Sequence, residues 1–209
     1  MKRIGIPLLS LAFCLFVLWK WTGGFTSFTV FSYTLKAAGS LPRVCPDMAL
    51  IDQDSSVFNL DGKRKYLLIN FVYLNCPYVC HKVNNQLEQI YHLMDSSLVP
   101  SKLEFITVSF DTDNDNVSKI KKYRSYFGSA ISGWTFALPH QTSAPSFTHW
   151  LRKLGVWKYQ VPSSGIINHS IYLFLVSPDK QIVHVFDPAR ENNQKIVQQI
   201  EACFGESTL

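Results

Sequence analysis

The stretch YLLINFVYLNCPYVCHKV, residues 66–83, decides the fold. Tyr66 to Leu74 is mostly apolar and reads as a core strand. Pro77 disfavours helical angles at Cys76 and suits the first helical position itself. A helix is therefore expected from Pro77 to about Met94, with Cys76 as its N-cap. Cys80 falls in the first turn, and with 3.6 residues per turn both sulfurs point to one face. The positive end of the helix dipole favours thiolates there, with Cys76 the nearer to solvent and the more reactive. Two such thiolates close a disulfide or bind a soft metal such as Cu(I). The alternative is a pair of inert, buried cysteines, but a core has no use for paired thiols at a helix mouth.

Outward from this stretch the pattern alternates. Met48 to Asp52 and Val57 to Leu60 flank Gln53-Asp54-Ser55-Ser56 and read as a small hairpin. KLEFITVSF, residues 102–110, is a second strand, and Asn116 to Phe127 reads as helix. Trp134 to Leu138 is a short strand and Ser146 to Leu154 a helix. Ile171 to Ser177 and Gln181 to Phe186 flank the turn residues Pro178-Asp179. A helix over Ala189 to Phe204 closes the chain. Strands alternating with helices, then a hairpin and a last helix, predict an α/β sandwich on a mixed sheet. Ligands of such sheets gather at the carboxyl ends of strands, which is where Cys76 and Cys80 lie.

The bulk numbers exclude several classes. At 209 residues with 47% apolar content the chain suits one domain plus an appendage. A net charge of +5 without interleaved arginines and aromatics argues against nucleic acid. Lys119, Lys121, Lys122 and Arg124 read as a solvated helix face. Five cysteines are too few for a disulfide scaffold. Cys45 and Cys203 stand apart from the dithiol, either paired with each other or independent.

The N-terminus is basic at Lys2 and Arg3 and almost wholly apolar from Ile4 to Trp19. Reading on to Phe25 gives a membrane anchor over 1–25, with Lys20 snorkelling and Trp19 and Trp21 at the interface. A cleaved signal peptide is the alternative, with a weak site at Lys36-Ala37-Ala38. Cys14 follows Phe13, which does not suit a lipoprotein cleavage site. The basic start favours an inside N-terminus, so the domain is expected in an exported, oxidising compartment on the cytoplasmic membrane. Residues 26–45 read as a juxtamembrane linker and 46–209 as the folded domain.

Other chemistry-bearing residues are sparse. His169, in Gly165-Ile166-Ile167-Asn168-His169-Ser170, precedes an apolar strand. Alone it is a structural histidine; beside a dithiol it is a candidate third ligand, since two thiolates and one imidazole suit trigonal Cu(I). Asp111, Asp113 and Asp115 mimic the start of a calcium loop, but Asn116 and Lys122 occupy the positions that need Gly and Glu. Asp115 reads instead as a helix N-cap, and Asp111 as a group facing the thiols. His81 points about 100° away from Cys80 on a helix. His92, His140, His149 and His184 show no partner pattern.

These pieces in this order resemble the SCO/SenC family of membrane-anchored copper-binding proteins of cytochrome c oxidase assembly. INFVYLNCPYVC, residues 69–80, is similar to the family's strand and C-P-x-x-C pair. VSFDTDNDN matches its V-S-F-D-x-x-x-D segment, and Asn168-His169-Ser170 with IYLFLVSPDK its D-H-S before an apolar strand. The likeness runs from about Pro46 to about Phe204. It implies a thioredoxin-like fold, copper as the bound metal, and Cys76, Cys80 and His169 as ligands. It also implies a cytochrome c oxidase subunit or another copper protein as client. Tyr78 and His81 replace the acidic residue and proline usual in and after the cysteine pair, and Asn168 replaces Asp. The competing expectation is a thiol–disulfide reductase acting on client cysteines with Cys76 and Cys80 as redox pair. Three residues between the cysteines, and no proline just before Ile171, speak against it. A peroxide-reducing thiol enzyme needs an arginine by its cysteine, and none occurs between Arg64 and Arg124.

Overall fold

The computed structural model describes residues 2–25, 27–76, 79–128 and 131–206, without the side chains of 2–5, 79–81 and 206. The chain opens on α1 (Lys2–Trp21) and α2 (Val30–Ala37). Strands β1 (Arg43–Val44), β2 (Ala49–Asp52) and β3 (Val57–Asn59) lead through a 3-10 turn at Leu60–Gly62 into β4 (Tyr66–Val72). Helices and strands then alternate: α3 (Val79–Leu93), β5 (Leu103–Ser109), α4 (Val117–Ser125), β6 (Trp134–Pro139) and α5 (Ala144–Leu154). A short hairpin of β7 (Lys158–Gln160) and β8 (Ile167–His169) precedes β9 (Leu173–Val176), β10 (Gln181–Phe186) and α6 (Asn193–Glu206).

Eight strands form one mixed sheet in the order β1-β10-β9-β4-β5-β6-β2-β3. The β4–β5 and β5–β6 pairs are parallel and the others antiparallel. β4 lies between β9 and β5, covered on both faces, which is why all seven of its residues are buried and its sequence is apolar without alternation. Leu67, Ile69 and Phe71 pack in one layer with Phe147, Trp150 and Leu151 of α5. Tyr66 and Leu68 pack in the other with Leu87 and Ile90 of α3 and Ile196 and Ile200 of α6. The result is the expected thioredoxin-like α/β sandwich.

The second layer holds a buried polar chain. Trp134 Nε1 donates to Thr107 Oγ1 at 2.9 Å, and Thr107 donates to Asn70 Oδ1 at 2.6 Å. Asn70 Nδ2 donates to Asn84 Oδ1 at 2.9 Å, and Asn84 Nδ2 to the Tyr123 hydroxyl at 2.7 Å. One hydrogen-bonded file thus ties β6, β5, β4, α3 and α4 together. Complete satisfaction is what makes such groups tolerable in an apolar layer.

Residues 26–45, read from sequence as a linker, carry two ordered elements. Thr29 caps α2 by accepting from the Ser32 N–H, and Ser32 returns the bond to the Thr29 N–H. α2 lies against the end of α5, where Phe31 meets Trp157 with ring centroids 5.3 Å apart. Gly155 ends α5 at φ +85°, and a β-carbon there would fall 3.0 Å from Leu35 Cα. Only glycine serves both the left-handed cap and this close approach. β1 adds an edge strand to β10.

Cys45 belongs to the α5-side layer and Cys203 packs on the other, with the sheet between them, so they do not form a disulfide. Burial pushes the Cys45 thiol from its ordinary 9.0 up to about 12, with Asp61 and Asp47 adding to the rise. The native thiol therefore holds its proton where the unfolded one has lost it. Stability should fall as pH rises from about 9 towards 12, and Cys45→Ala should flatten that fall in denaturant melts. At pH 8 a thiol reagent should label Cys45 only after unfolding; rapid labelling of native protein would contradict this burial.

Large apolar side chains of α1 are exposed on consecutive positions around the helix, among them Leu8, Leu9, Phe13, Phe16 and Trp19. The side chains described on it span Ile6 to Trp21, about 24 Å against a hydrocarbon core of roughly 30 Å. Among the described residues no helix is long and apolar enough to cross a membrane.

Candidate metal centre

Cys76 sits just past the carboxyl end of β4. Its N–H donates to the Tyr73 carbonyl at 3.2 Å, closing a tight turn ahead of α3. The sulfur-bearing residue is 6% exposed, so Cys76 is deeper than its expected place near solvent. Pro77 and Tyr78 lie outside the described residues, and with them the N-cap expectation. Cys80 is the second residue of α3, in its first turn as expected. Its side chain, like that of His81, lies outside the described residues.

His169 ends β8, and the β7–β8 register sets it opposite Lys158. The hairpin brings it back to the cysteine turn, 93 residues from Cys76 along the chain. Its ring meets the Tyr73 ring edge-on at 5.9 Å and the Phe110 ring at 4.7 Å. Tyr73 and Phe110 themselves lie 5.7 Å apart. Tyr73 begins the Cys76 turn and Phe110 follows β5, so two neighbouring parallel strands wall the histidine. Nδ1 lies 2.9 Å from the Ser170 carbonyl oxygen. A carbonyl only accepts, so Nδ1 carries a proton, and in the neutral ring so held the lone pair is on Nε2, the tautomer of a metal-ligating imidazole held by a backbone carbonyl. A thiol, a further cysteine in the first turn of the adjoining helix and this imidazole make a donor set that suits Cu(I). Among the described residues no three His, Cys, Asp or Glu side chains cluster as metal ligands; the Cys80 thiol lies outside them.

Sequence reasoning missed the part played by Asp115. Asn116, not Asp115, caps α4, accepting from the Lys119 N–H at 3.0 Å. Asp115 turns inward, where its Oδ2 accepts from the Leu74 N–H at 3.1 Å and from the Ser109 hydroxyl at 2.5 Å. Burial raises its carboxyl pKa, against the lowering effect of those two bonds. Asp115 thus holds the backbone two residues before Cys76. Asp111 is buried and accepts from Asn114 Nδ2. Lys158 reaches over the Phe110 ring and donates to the Phe110 carbonyl, with burial lowering its pKa and Asp111 opposing that shift. Of the calcium-like spacing, Asp111 and Asp115 therefore serve turn geometry, and Asp113 is exposed. A pattern of three alternate aspartates carried no signal for this inward bond, because it depends on where the Leu74 turn passes.

The chain is similar to known proteins over this same region. The zebrafish (Danio rerio) SCO2 homologue, a mitochondrial protein, is 23% identical over 159 residues, 70% of this chain and 55% of that protein. The chain thus spans about half the length of this relative. Arabidopsis thaliana ScoI, solved with copper bound, superposes with a TM-score of 0.62 at 17% identity over 76% of this chain and 96% of that one. BsSco, a member of the Sco family of cytochrome c oxidase assembly proteins in which a disulfide switch was identified, gives 0.63 at 17% identity over 78% and 95%. These two likenesses carry the fold. The family model described as SCO1/SenC matches residues 38–205, from the turn before β1 to the last turn of α6, and the chain belongs to that family.

Proposed function

We propose that the protein carries one Cu(I) between the thiolates of Cys76 and Cys80 and the imidazole of His169, and passes it to a cytochrome c oxidase subunit or another copper-protein client. The observation that carries this reading is the meeting of His169 with the Tyr73 ring at the start of the Cys76 turn. A redox dithiol acting alone has no need of a histidine held there in a ligating tautomer. Copper is the cargo. The Ser170 carbonyl orients the imidazole, the Phe110 and Tyr73 rings keep water from one side of it, and Asp115 fixes the turn that presents Cys76. Family membership and the copper-bound Arabidopsis relative support the metal, and the description of BsSco supports the class of client.

Copper titration tests this directly. Reduced protein should bind one equivalent of Cu(I), and protein with the Cys76–Cys80 pair oxidised should bind none, because a disulfide has no thiolate to donate. Equal occupancy in both states would sink the proposal.

The apolar helix α1 is the proposed attachment to the cytoplasmic membrane, with the folded domain on the exported side. Support comes from its exposed apolar side chains and from Lys2 and Arg3 at its start. The chain should stay with membranes through a high-salt wash and begin at Met1 on N-terminal sequencing. A start near Gly39 would show cleavage instead.

A further inference from the structure

Formal charge is divided unevenly along this chain. Residues 1–46 and 116–178 contain twelve of the twenty lysines and arginines and none of the fifteen aspartates and glutamates. The fold brings parts of both segments together. α2 packs on the end of α5 and on Trp157, and Arg43 Nη2 donates to the Leu154 carbonyl at 3.0 Å. Between them lies a cleft of about 360 Å³ whose lining includes Tyr33, Thr34, Thr148, Arg152, Trp157 and Lys158. Beside it, where α1 meets α2, a second cavity of about 660 Å³ is lined by Lys20, Trp21, Phe28 and Tyr33, among others. The aromatic rings here face outward: Trp21 is 85% exposed, Phe28 71% and Tyr33 61%. Arg152 and Lys153 are exposed at the end of α5.

Amphipathic aromatic rings mixed with cations are the chemistry of a membrane–water interface. The residues lining the two cavities include no carboxylate, and Asp111 and Asp113 act on Lys158 at the β7 edge of the face. A protein partner of ordinary composition would find no acidic group along the two cavities to pair its own cations. The second cavity also reaches the end of α1 itself, through Lys20 and Trp21. The cations of α4, on the other side of the sheet, differ: Lys121 pairs with Asp54 at 3.0 Å.

We propose that the face formed by α2, the end of α5 and β7 docks on the headgroups of an anionic phospholipid bilayer, with the cleft beside Arg152 receiving a lipid phosphate. This rests on the membrane attachment proposed for α1 and goes beyond it, since a tethered domain need not touch the bilayer. Docking sets the β7–β8 hairpin, and with it His169, close to the membrane surface. The metal site is then held at a fixed height and angle above the bilayer.

The test uses the full chain mixed with vesicles of phosphatidylcholine alone, or with a quarter of phosphatidylglycerol, followed by flotation and amide hydrogen exchange. With both proposals correct, the protein floats with both vesicles. Exchange in 30–38 and 148–159 is then slowed on the order of tenfold on the anionic vesicles only, and the difference vanishes at high salt. The R152E/K153E variant should lose that protection and R152Q/K153Q should lose part of it. K121E/K122E, an equal charge change on α4, should keep it; thermal melts confirm that each variant is folded. Flotation with anionic vesicles alone, dependent on Arg152 and Lys153, would support docking and overturn the anchor. Flotation with both but no difference in exchange would overturn docking and leave the anchor standing. Flotation with neither would overturn both. Protection that arises without lipid and grows with protein concentration would mean that a second copy covers the face, and would overturn lipid docking.

Discussion

His169→Ala should weaken Cu(I) binding by at least about 100-fold, beyond the 10–100-fold typical of groups that merely support a ligand. The imidazole is the single nitrogen donor of the proposed set. Two thiolates remain in the variant, but the third position opens to water or to an added competitor. The fold should survive, because the ring lies at the end of a two-stranded hairpin outside the main sheet. A competition titration against a Cu(I) chelator reads the affinity, and a thermal melt checks the fold. The redox behaviour of Cys76 and Cys80 gives a second readout. If the chain acts as a thiol–disulfide reductase, the variant should keep its affinity for copper and its rate of reducing a client disulfide. That result would remove His169 from the ligand set and favour the reductase.

The second large effect concerns stability. Asn70→Leu should lower it by about 2–6 kcal/mol, since two buried groups then lose partners at about 1–3 kcal/mol each. The Thr107 hydroxyl loses its acceptor and the Asn84 carbonyl loses its donor. For a domain of this size the melting temperature should drop by roughly 5–15 °C. The double variant Asn70→Leu with Asn84→Leu should cost less than the sum of the two single changes, because the pair shares one bond. A single variant that melts within about 2 °C of the parent would show that the file of hydrogen bonds contributes little. Because Asn70 precedes Phe71, Val72 and the Cys76 turn on the same strand, copper affinity of the folded variant also reports whether the file steadies the site.

Much of this architecture is legible from local pattern. The β2–β3 hairpin, β4, β5, β6 and the β9–β10 hairpin all lie within a residue or three of the places their apolar runs and turn residues indicate. The ends differ where a cap decides them. α5 begins earlier than its apolar stripe because Ser143 accepts from the Ser146 N–H. α4 begins at Val117, one residue later than its pattern indicates, because Asn116, not Asp115, is the capping residue outside the first turn. α2 was not legible as a helix: eight residues are too short for a periodic signal and too short to be stable alone. It exists because Phe31 and Leu35 find the end of α5.

The sequence by itself determined the α/β class, the burial of β4, and the placing of two cysteines one turn apart where β4 leads into α3. All of these follow from spacing within about twenty residues, where periods of 2 and 3.6 and the angles of proline act directly on the chain. Tertiary structure alone decided that His169 reaches the Cys76 turn and that Asp115 holds Leu74. It also decided that Asn70, Asn84, Thr107, Trp134 and Tyr123 satisfy one another. These are contacts between residues up to 96 apart, from Tyr73 at the start of the Cys76 turn to His169 on β8, made by strand order and register. Nothing in a residue's neighbours along the chain specifies which strand will lie beside it. That choice belongs to the packing of the two apolar layers, and the chemistry of the site is inherited from it.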